Sequence, residues 1–378
     1  MSVTGTAFAE MIQRIGVSVV CGVPCSLLKH AISALEEQPA VQYINAANEG
    51  PALGIAAGAA IAGRRTATLM QDSGFGNIIN PLTSLSMPFG IGGLLIIGSH
   101  NGATDEPQHK AMAPLVTDVL TTLSIPYFHL TAETMSLEDL AGELESCLAA
   151  SQVVALLVGR GAIESDSKRP QPPRAATRDH GACDTRLSYE DALQTITTKL
   201  PLQTAFVATT GYISRELYKM EPLRPNFYMT GSMGHAAAIA LGVAQARDGS
   251  KPIAILDGDG ALLMHMGVMS TIGALQPHRF VHIVLDNGVY ESTGGQSSTA
   301  ESTSFPSAAL ACGYAKASSC RTPEDLSSAL AEAIEAPAPH MVVIKVASDP
   351  DHIPPSVMAQ RMPRDIATRF AEALMTTN

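Results

Sequence analysis

The triplet Gly258-Asp259-Gly260 constrains this chain more than any other stretch of it. It follows the apolar run Pro252-Ile253-Ala254-Ile255-Leu256, which reads as a buried strand. A second run, Phe280-Val281-His282-Ile283-Val284-Leu285, ends just before Asn287, 28 residues beyond Asp259. Between the runs, Ala261 to Leu275 is long enough for a crossover helix. Two parallel strands need such a crossover, because a tight turn can only reverse the chain. The segment therefore predicts a β-α-β unit with Asp259 and Asn287 at neighbouring carboxyl ends of one sheet, where open α/β sheets bind ligands. A carboxylate and an amide oxygen suit a hard cation such as Mg2+. The glycines let backbone amides approach a phosphate closely. A metal holding a diphosphate is the chemistry that these residue types suggest. Many turns contain GDG alone, so the strand, the helix and Asn287 carry the weight.

The same alternation runs along the whole chain. Val17 to Cys21, Ala67 to Met70, Gly93 to Ile97 and Val153 to Val158 are predicted strands, and Glu49 to Ala62 and Leu137 to Ala149 predicted helices. From Glu164 to Arg186 the character changes to Ser, Pro, Arg and Asp, with Pro170, Pro172 and Pro173 close together, which marks a linker. Alternation restarts at Tyr189 to Leu200, followed by strands at Ala205 to Ala208, Ile253 to Leu256, Val281 to Leu285 and Met341 to Val346. The expected architecture is α/β: two domains, residues 1–165 and 187–378, each a mainly parallel sheet flanked by helices, joined by residues 166–186. A length of 378 residues suits two domains, and 46% hydrophobic against 16% charged residues suits strands buried on both faces.

Charge and composition exclude several classes of partner. The net charge is −11 and no Lys/Arg-rich run occurs, which argues against nucleic acid and anionic membrane. No apolar stretch approaches the length needed to span a bilayer, and the N-terminus lacks a signal-peptide pattern. Six sparse cysteines, without a zinc-like spacing, fit a reduced cytoplasmic protein.

Two linked α/β domains with GDG and a following Asn in the second resemble the thiamine diphosphate (ThDP)-dependent enzymes. Asn48-Glu49-Gly50-Pro51-Ala52-Leu53-Gly54 is similar to that superfamily's glutamate helix, and Gly231-Ser232-Met233-Gly234-His235 to the stretch supporting the bent cofactor. The linker is too short for the middle domain found in most ThDP decarboxylases, which narrows the resemblance to the phosphonopyruvate and sulfopyruvate decarboxylase group. Within it, Gly22-Val23-Pro24-x-Ser26-Leu27-Leu28-Lys29, Asp105-Glu106-Pro107-Gln108-His109-Lys110, Thr209-Thr210-Gly211-x-x-Ser214-Arg215-Glu216-Leu217, Gly260-Ala261-Leu262-Leu263-Met264-His265-Met266-Gly267 and Glu291-Ser292-x-Gly294-Gly295-Gln296 look most like the phosphonopyruvate decarboxylases. Four positions depart from the pattern: Cys25 stands where Asp is frequent, Asp286 replaces the first of two asparagines, Tyr290 stands where His is frequent, and Ala261 replaces Ser.

The resemblance implies a pyrimidine-binding domain followed by a diphosphate-binding domain, with ThDP and Mg2+ as cofactors. Glu49 would hydrogen-bond N1′ of the aminopyrimidine, a role that a carboxyl in an apolar cleft suits because burial raises its pKa. Taken alone, a glutamate there could simply complement the helix dipole. Met233 would wedge the cofactor into its bent form, with Gly231 beside it, although a Met is commonly core filler. Asp259, Asn287 and the Val289 carbonyl would hold the metal, while Thr210, Gly211, Gly258, Gly260 and Ala261 would meet the cofactor. For the substrate, His109 is suggested for proton transfer, Lys110 or Lys29 for anion recognition, and Ser26 as a weaker contact; a solvated loop is the plain alternative for Lys110. The implied reaction is decarboxylation of 3-phosphonopyruvate to phosphonoacetaldehyde and CO2, in phosphonate biosynthesis. Sulfopyruvate is the alternative small anionic 2-oxo acid; a carboligase and a non-catalytic ThDP-binding subunit are further alternatives, the last disfavoured by Glu49. Because the two domains bind opposite ends of one cofactor, the resemblance implies a homodimer or dimer of dimers with active sites shared between chains.

Overall fold

The computed structural model of the chain describes residues 3–100, 107–131, 136–166, 187–220, 226–246, 251–335, 338–349 and 351–375. It divides into two compact units, Met1–Ala176 with Thr293–Gln296, and Thr177–Ser292 with Ser297–Asn378. Of the predicted linker, residues 166–186, all but residue 166 lie outside the described residues.

In the first unit the elements run α1 (Gly5–Arg14), β1 (Val17–Gly22), α2 (Lys29–Glu37), β2 (Gln42–Asn45), α3 (Glu49–Ile61), β3 (Arg65–Gln71), α4 (Phe75–Pro81), β4 (Gly93–Gly98), α5 (Pro107–Thr122), β5 (Tyr127–Leu130), α6 (Leu137–Ala149) and β6 (Val153–Val158). The strands form a parallel sheet in the order β2-β1-β3-β4-β6-β5. Its interior strands are covered on both faces. Ala67, Leu69, Leu94, Ile96, Val154 and Leu156 pack toward α1, α2 and α6. Met70, Leu95, Ile97, Ala155 and Leu157 pack toward Phe75 and Ile78 of α4 and Val116 and Leu120 of α5. Burial on both faces is why these strands read as unbroken apolar runs.

The second unit contains α7 (Tyr189–Lys199), β7 (Ala205–Ala208), α8 (Tyr212–Met220), β8 (Phe227–Tyr228), α9 (Ala236–Gln245), β9 (Ile253–Gly258), α10 (Asp259–Met264), α11 (Val268–Leu275), β10 (Phe280–Asp286), α12 (Phe305–Ala311), β11 (Lys316–Cys320), α13 (Pro323–Glu335), β12 (His340–Lys345) and α14 (Pro363–Met375). Its sheet is also parallel, in the order β8-β7-β9-β10-β12-β11. Strand for strand this is the topology of the first unit. In each, the first helix–strand pair is followed by a step to one side, and then the chain crosses to the other side of the first strand.

That crossing creates a topological switch point in each sheet, between β1 and β3 and between β7 and β9. Loops leaving the two strands at a switch point diverge to opposite faces and open a crevice at the carboxyl edge. In the second unit the flanking loops are Thr209-Thr210-Gly211 and Gly258-Asp259-Gly260. In the first they are 23–28 and 72–74.

The expected crossover helix between β9 and β10 is two helices. The backbone leaves helical geometry at His265 (φ −138°, ψ 43°), ending α10 before α11 begins. Helices α6 and α7 start at serine caps: Ser136 accepts from the Asp139 amide at 3.1 Å and Ser188 from the Asp191 amide at 3.0 Å. Among the described residues, no helix is long and apolar enough to cross a membrane.

Candidate active site

Glu49 is the first residue of α3. Asn48 caps the helix, its side-chain oxygen accepting from the Gly50 amide at 2.8 Å. The cap turns Glu49 inward, where only 3% of it is exposed. Asn77 Nδ2 donates to Glu49 Oε2 at 2.7 Å. Gly74 lies under the carboxyl so closely that a Cβ there would sit 2.2 Å from Oε1. Burial raises the Glu49 pKa above the ordinary carboxyl value, partly countered by the bonds from Asn77 and the helix backbone. A glutamate that only complemented the helix dipole would stay in water; this one is withdrawn from it.

Beside that carboxyl, in the loop after β3, Asp72 is buried and fixes His100. It accepts from the His100 amide at 2.8 Å, and its other oxygen is 3.1 Å from His100 Nδ1. The Ser73 amide also donates to Asp72, at 2.7 Å. Sequence reasoning passed over Asp72, Gly74, Asn77 and His100. The signal lay in Asp72-Ser73-Gly74-x-x-Asn77, polar residues and a glycine directly after an apolar strand, the same grammar as GDG.

In the second unit Gly258 ends β9 and Asp259 begins α10. Gly258 and Leu285 are Cα partners in the parallel ladder, so Asp259 and Asn287 both lie just beyond paired strand ends. Asp259 is buried and accepts from Ser298 Oγ. Burial, and then the neighbouring Asp286 carboxylate, push its pKa up to about 7. Asp286 is itself buried and pairs with Lys345, which offsets the charge that replaces an asparagine here. Asn287 is buried: its Oδ1 accepts from the Val289 amide at 3.0 Å, and its Nδ2 donates to Glu291 Oε2 at 3.0 Å.

Across the switch point, Ser214 Oγ lies 2.6 Å from the Thr209 carbonyl and 3.1 Å from that of Ala208, pinning the loop that carries Thr210 and Gly211. The Thr209 hydroxyl is buried without a protein partner. Gly231 and Met233, both half-buried, stand in the loop before α9. That loop is pressed onto α10: a Cβ at Gly234 would be 2.6 Å from the His265 ring and 2.9 Å from the Ala261 carbonyl. Ala261 is buried inside α10.

The oxygen donors of Asp259, Asn287 and Val289 fit a hard divalent cation. An unbalanced buried carboxylate and an orphaned hydroxyl at the same crevice favour a cation with an anionic ligand there. Among the described residues no group of three or more His, Cys, Asp or Glu side chains that could hold a metal ion occurs.

Ser26 and Lys29 are both exposed, in the turn after β1 and at the start of α2. His109 and Lys110 belong to α5, but their side chains lie outside the described residues. Cys25 is fully buried, and burial pushes its thiol up to about 12. Tyr290 is buried with its ring against Gly260. Neither departure is an open surface group.

Comparison with known proteins agrees with both halves. Residues 3–117 match the thiamine pyrophosphate enzyme N-terminal TPP binding domain, and residues 209–345 the C-terminal TPP binding domain. The chain belongs to the thiamine pyrophosphate enzymes, in the group that holds the phosphonopyruvate and sulfopyruvate decarboxylases. It is 35% identical to phosphonopyruvate decarboxylase of Streptomyces viridochromogenes, over 96% of this chain and 92% of that protein. Phosphonopyruvate decarboxylase of Streptomyces hygroscopicus is 34% identical, over 95% and 90%. Sulfopyruvate decarboxylase of Methanosarcina acetivorans is 29% identical, over 77% of each chain. The expected architecture of two such domains with parallel sheets holds.

Proposed function

We propose that this chain is a ThDP- and Mg2+-dependent decarboxylase that converts 3-phosphonopyruvate to phosphonoacetaldehyde and CO2. The observation that carries the substrate is the likeness to two phosphonopyruvate decarboxylases, at 35% and 34% identity over nearly the whole chain. Residues 1–165 serve as the pyrimidine-binding domain and residues 187–378 as the diphosphate-binding domain, with 166–186 between them.

Bound ThDP supplies the electron sink for loss of CO2 from a 2-oxo acid. The chain's own residues hold and order the rest. Asp259, Asn287 Oδ1 and the Val289 carbonyl hold Mg2+, and the backbone around Thr210, Gly211, Gly258, Gly260 and Ala261 receives the diphosphate. Gly231 and Met233 support the middle and pyrimidine edge of the cofactor. Glu49 would hold a proton against N1′ of the pyrimidine, a role favoured by the burial that raises its pKa above the ordinary carboxyl value. The resemblance assigns His109 to proton transfer to the product, and Ser26, Lys29 and Lys110 to the substrate's anionic end.

The working form is a homodimer or dimer of dimers, in which Glu49 of one chain serves the cofactor held by Asp259 of another. Helices α3 and α9 support it. After Glu49, α3 carries no charged residue, and neither does α9. A helix that is apolar all round is normally buried, yet Ile55 is 42% and Ile61 70% exposed in the single chain. Gly54, Gly58 and Gly242 face open space on these helices, leaving room for a second copy to approach. A reduced, cytoplasmic setting is part of the same reading; the five described cysteines are all free.

Sulfopyruvate is the second reading, favoured by the likeness to the Methanosarcina enzyme. The two separate on incubating the protein, ThDP and Mg2+ with 3-phosphonopyruvate, sulfopyruvate or pyruvate, and measuring CO2 and aldehyde. Fastest turnover of 3-phosphonopyruvate is expected. Faster turnover of sulfopyruvate would transfer the assignment to that substrate.

A further inference from the structure

Asn287 has an amide with two unlike ends, of which only the oxygen can face a cation. Two neighbours decide which way round it sits. The Val289 amide, which can only donate, is 3.0 Å from Oδ1. On the other side Glu291 Oε2 accepts from Nδ2 at 3.0 Å. Glu291 is buried, and its second oxygen accepts from Ser348 Oγ at 2.6 Å. Both carboxylate oxygens are therefore engaged, and the group is held where it can only accept. Ser348 follows β12, and the Ala347 amide beside it bonds the Leu187 carbonyl, so the anchor of Glu291 is itself tied to the body of the second unit.

We propose that Glu291 is a positioning residue of the cation site: its carboxylate takes the nitrogen end of Asn287, so that Oδ1 is presented to the cation. The proposal rests on the Mg2+ reading above. Glu291 does not touch the cation; it sets the orientation of a side chain that does. Outer partners of this kind commonly change metal affinity when removed, by about 10–100-fold. A buried carboxylate is costly unless its oxygens are satisfied, and here the satisfying donors are the Asn287 amide and the Ser348 hydroxyl.

The test is calorimetric titration of ThDP at a series of Mg2+ concentrations. For Glu291→Gln, whose amide can no longer enforce the orientation, the Mg2+ needed for half-maximal ThDP binding is expected to rise about 10–100-fold. Asn287→Asp alone places two carboxylates face to face and binds poorly. The double variant Asn287→Asp/Glu291→Gln exchanges acceptor for donor: aspartate offers oxygen at either end and glutamine can donate to it. Its Mg2+ requirement should return to within a few-fold of the wild type, a rescue that a purely structural Glu291 would not produce. If wild-type ThDP binding does not depend on Mg2+, the cation reading falls and the proposal with it. If the wild type depends on Mg2+ but Glu291→Gln needs no more of it, the Glu291 proposal alone is overturned, as it is if the double variant stays as weak as the singles. Should Glu291→Gln fail to fold, Ser348→Ala loosens the same carboxylate, and an unchanged Mg2+ requirement would overturn the proposal.

Discussion

At the scale of single residues, the proposed chemistry depends on a carboxyl kept out of water. Glu49 is held by Asn77 and has Gly74 beneath it, and burial raises its pKa. A raised folded-state pKa means that stability is full below the ordinary carboxyl range and is lost as pH climbs through the raised value. Glu49→Gln should therefore unfold at a higher temperature than the cofactor-free wild type, with a wider gap at pH 8 than at pH 5. A gap independent of pH would show that burial does not tax the charged form. The same variant should lose about 10²-fold or more in turnover, the scale of a proton-transfer group. Gly74→Ala places a Cβ 2.2 Å from Oε1 of that carboxyl. It should destabilise by about 1–3 kcal/mol and cut turnover by about 10²-fold, the cost of moving a reacting group by about 1 Å. Calorimetry and steady-state kinetics on the folded variant check both, and normal turnover would show that the site has slack there.

Asp259 and Asn287 were readable from sequence because each follows an apolar run and carries a chemistry that runs do not; Glu49 was readable only through the likeness of Asn48-Glu49-Gly50 to the glutamate helix. Their supports were not. Asn77 and Glu291 are ordinary polar residues until the chain folds back, 28 residues from Glu49 in one case and four from Asn287 in the other. Local composition cannot say which of two nearby carboxylates meets a cation and which orients its ligand.

At the scale of elements, every strand expected from an apolar run exists, and all eight are interior strands of the two sheets. Within the two six-stranded sheets, the four described strands that escaped are β2, β5, β8 and β11, the outermost ones. An edge strand has one neighbour and an open flank, so it needs no continuous apolar run. Lys316-Ala317-Ser318-Ser319-Cys320 could not be told from a loop by periodicity. The divided crossover α10–α11 was hidden for a different reason: apolar residues continue on both sides of the break, which the backbone makes at His265. Helix starts, by contrast, follow local rules. Ser188→Ala removes the cap of α7 and should cost about 1 kcal/mol, read as a lower denaturation midpoint, with turnover unchanged. A change in turnover would mean that α7 does more than support the sheet.

At the scale of the whole molecule, one strand order is used twice, and each copy places polar loops at its own switch point. In the proposed function the first would supply a proton-handling carboxyl and the second a cation-and-phosphate crevice. This duplication left no mark in the sequence that a period could reveal, because topology is preserved by the pattern of burial and not by residue identity. If sites are shared between chains, mixing inactive Glu49→Gln with inactive Asp259→Ala should restore part of the activity once subunits exchange. Exchange confirmed by native mass spectrometry without any activity would show that one chain serves its own cofactor. Whether the molecule activates thiamine diphosphate through Glu49 is read most directly from the cofactor itself. In holoenzyme transferred to D2O, loss of the C2 proton of bound ThDP can be followed by acid quench and proton NMR. Wild type should exchange that proton far faster than folded, ThDP-saturated Glu49→Gln, by about 10²-fold or more. Equal rates would contradict the role given to Glu49 and, with it, the chemistry proposed for this chain.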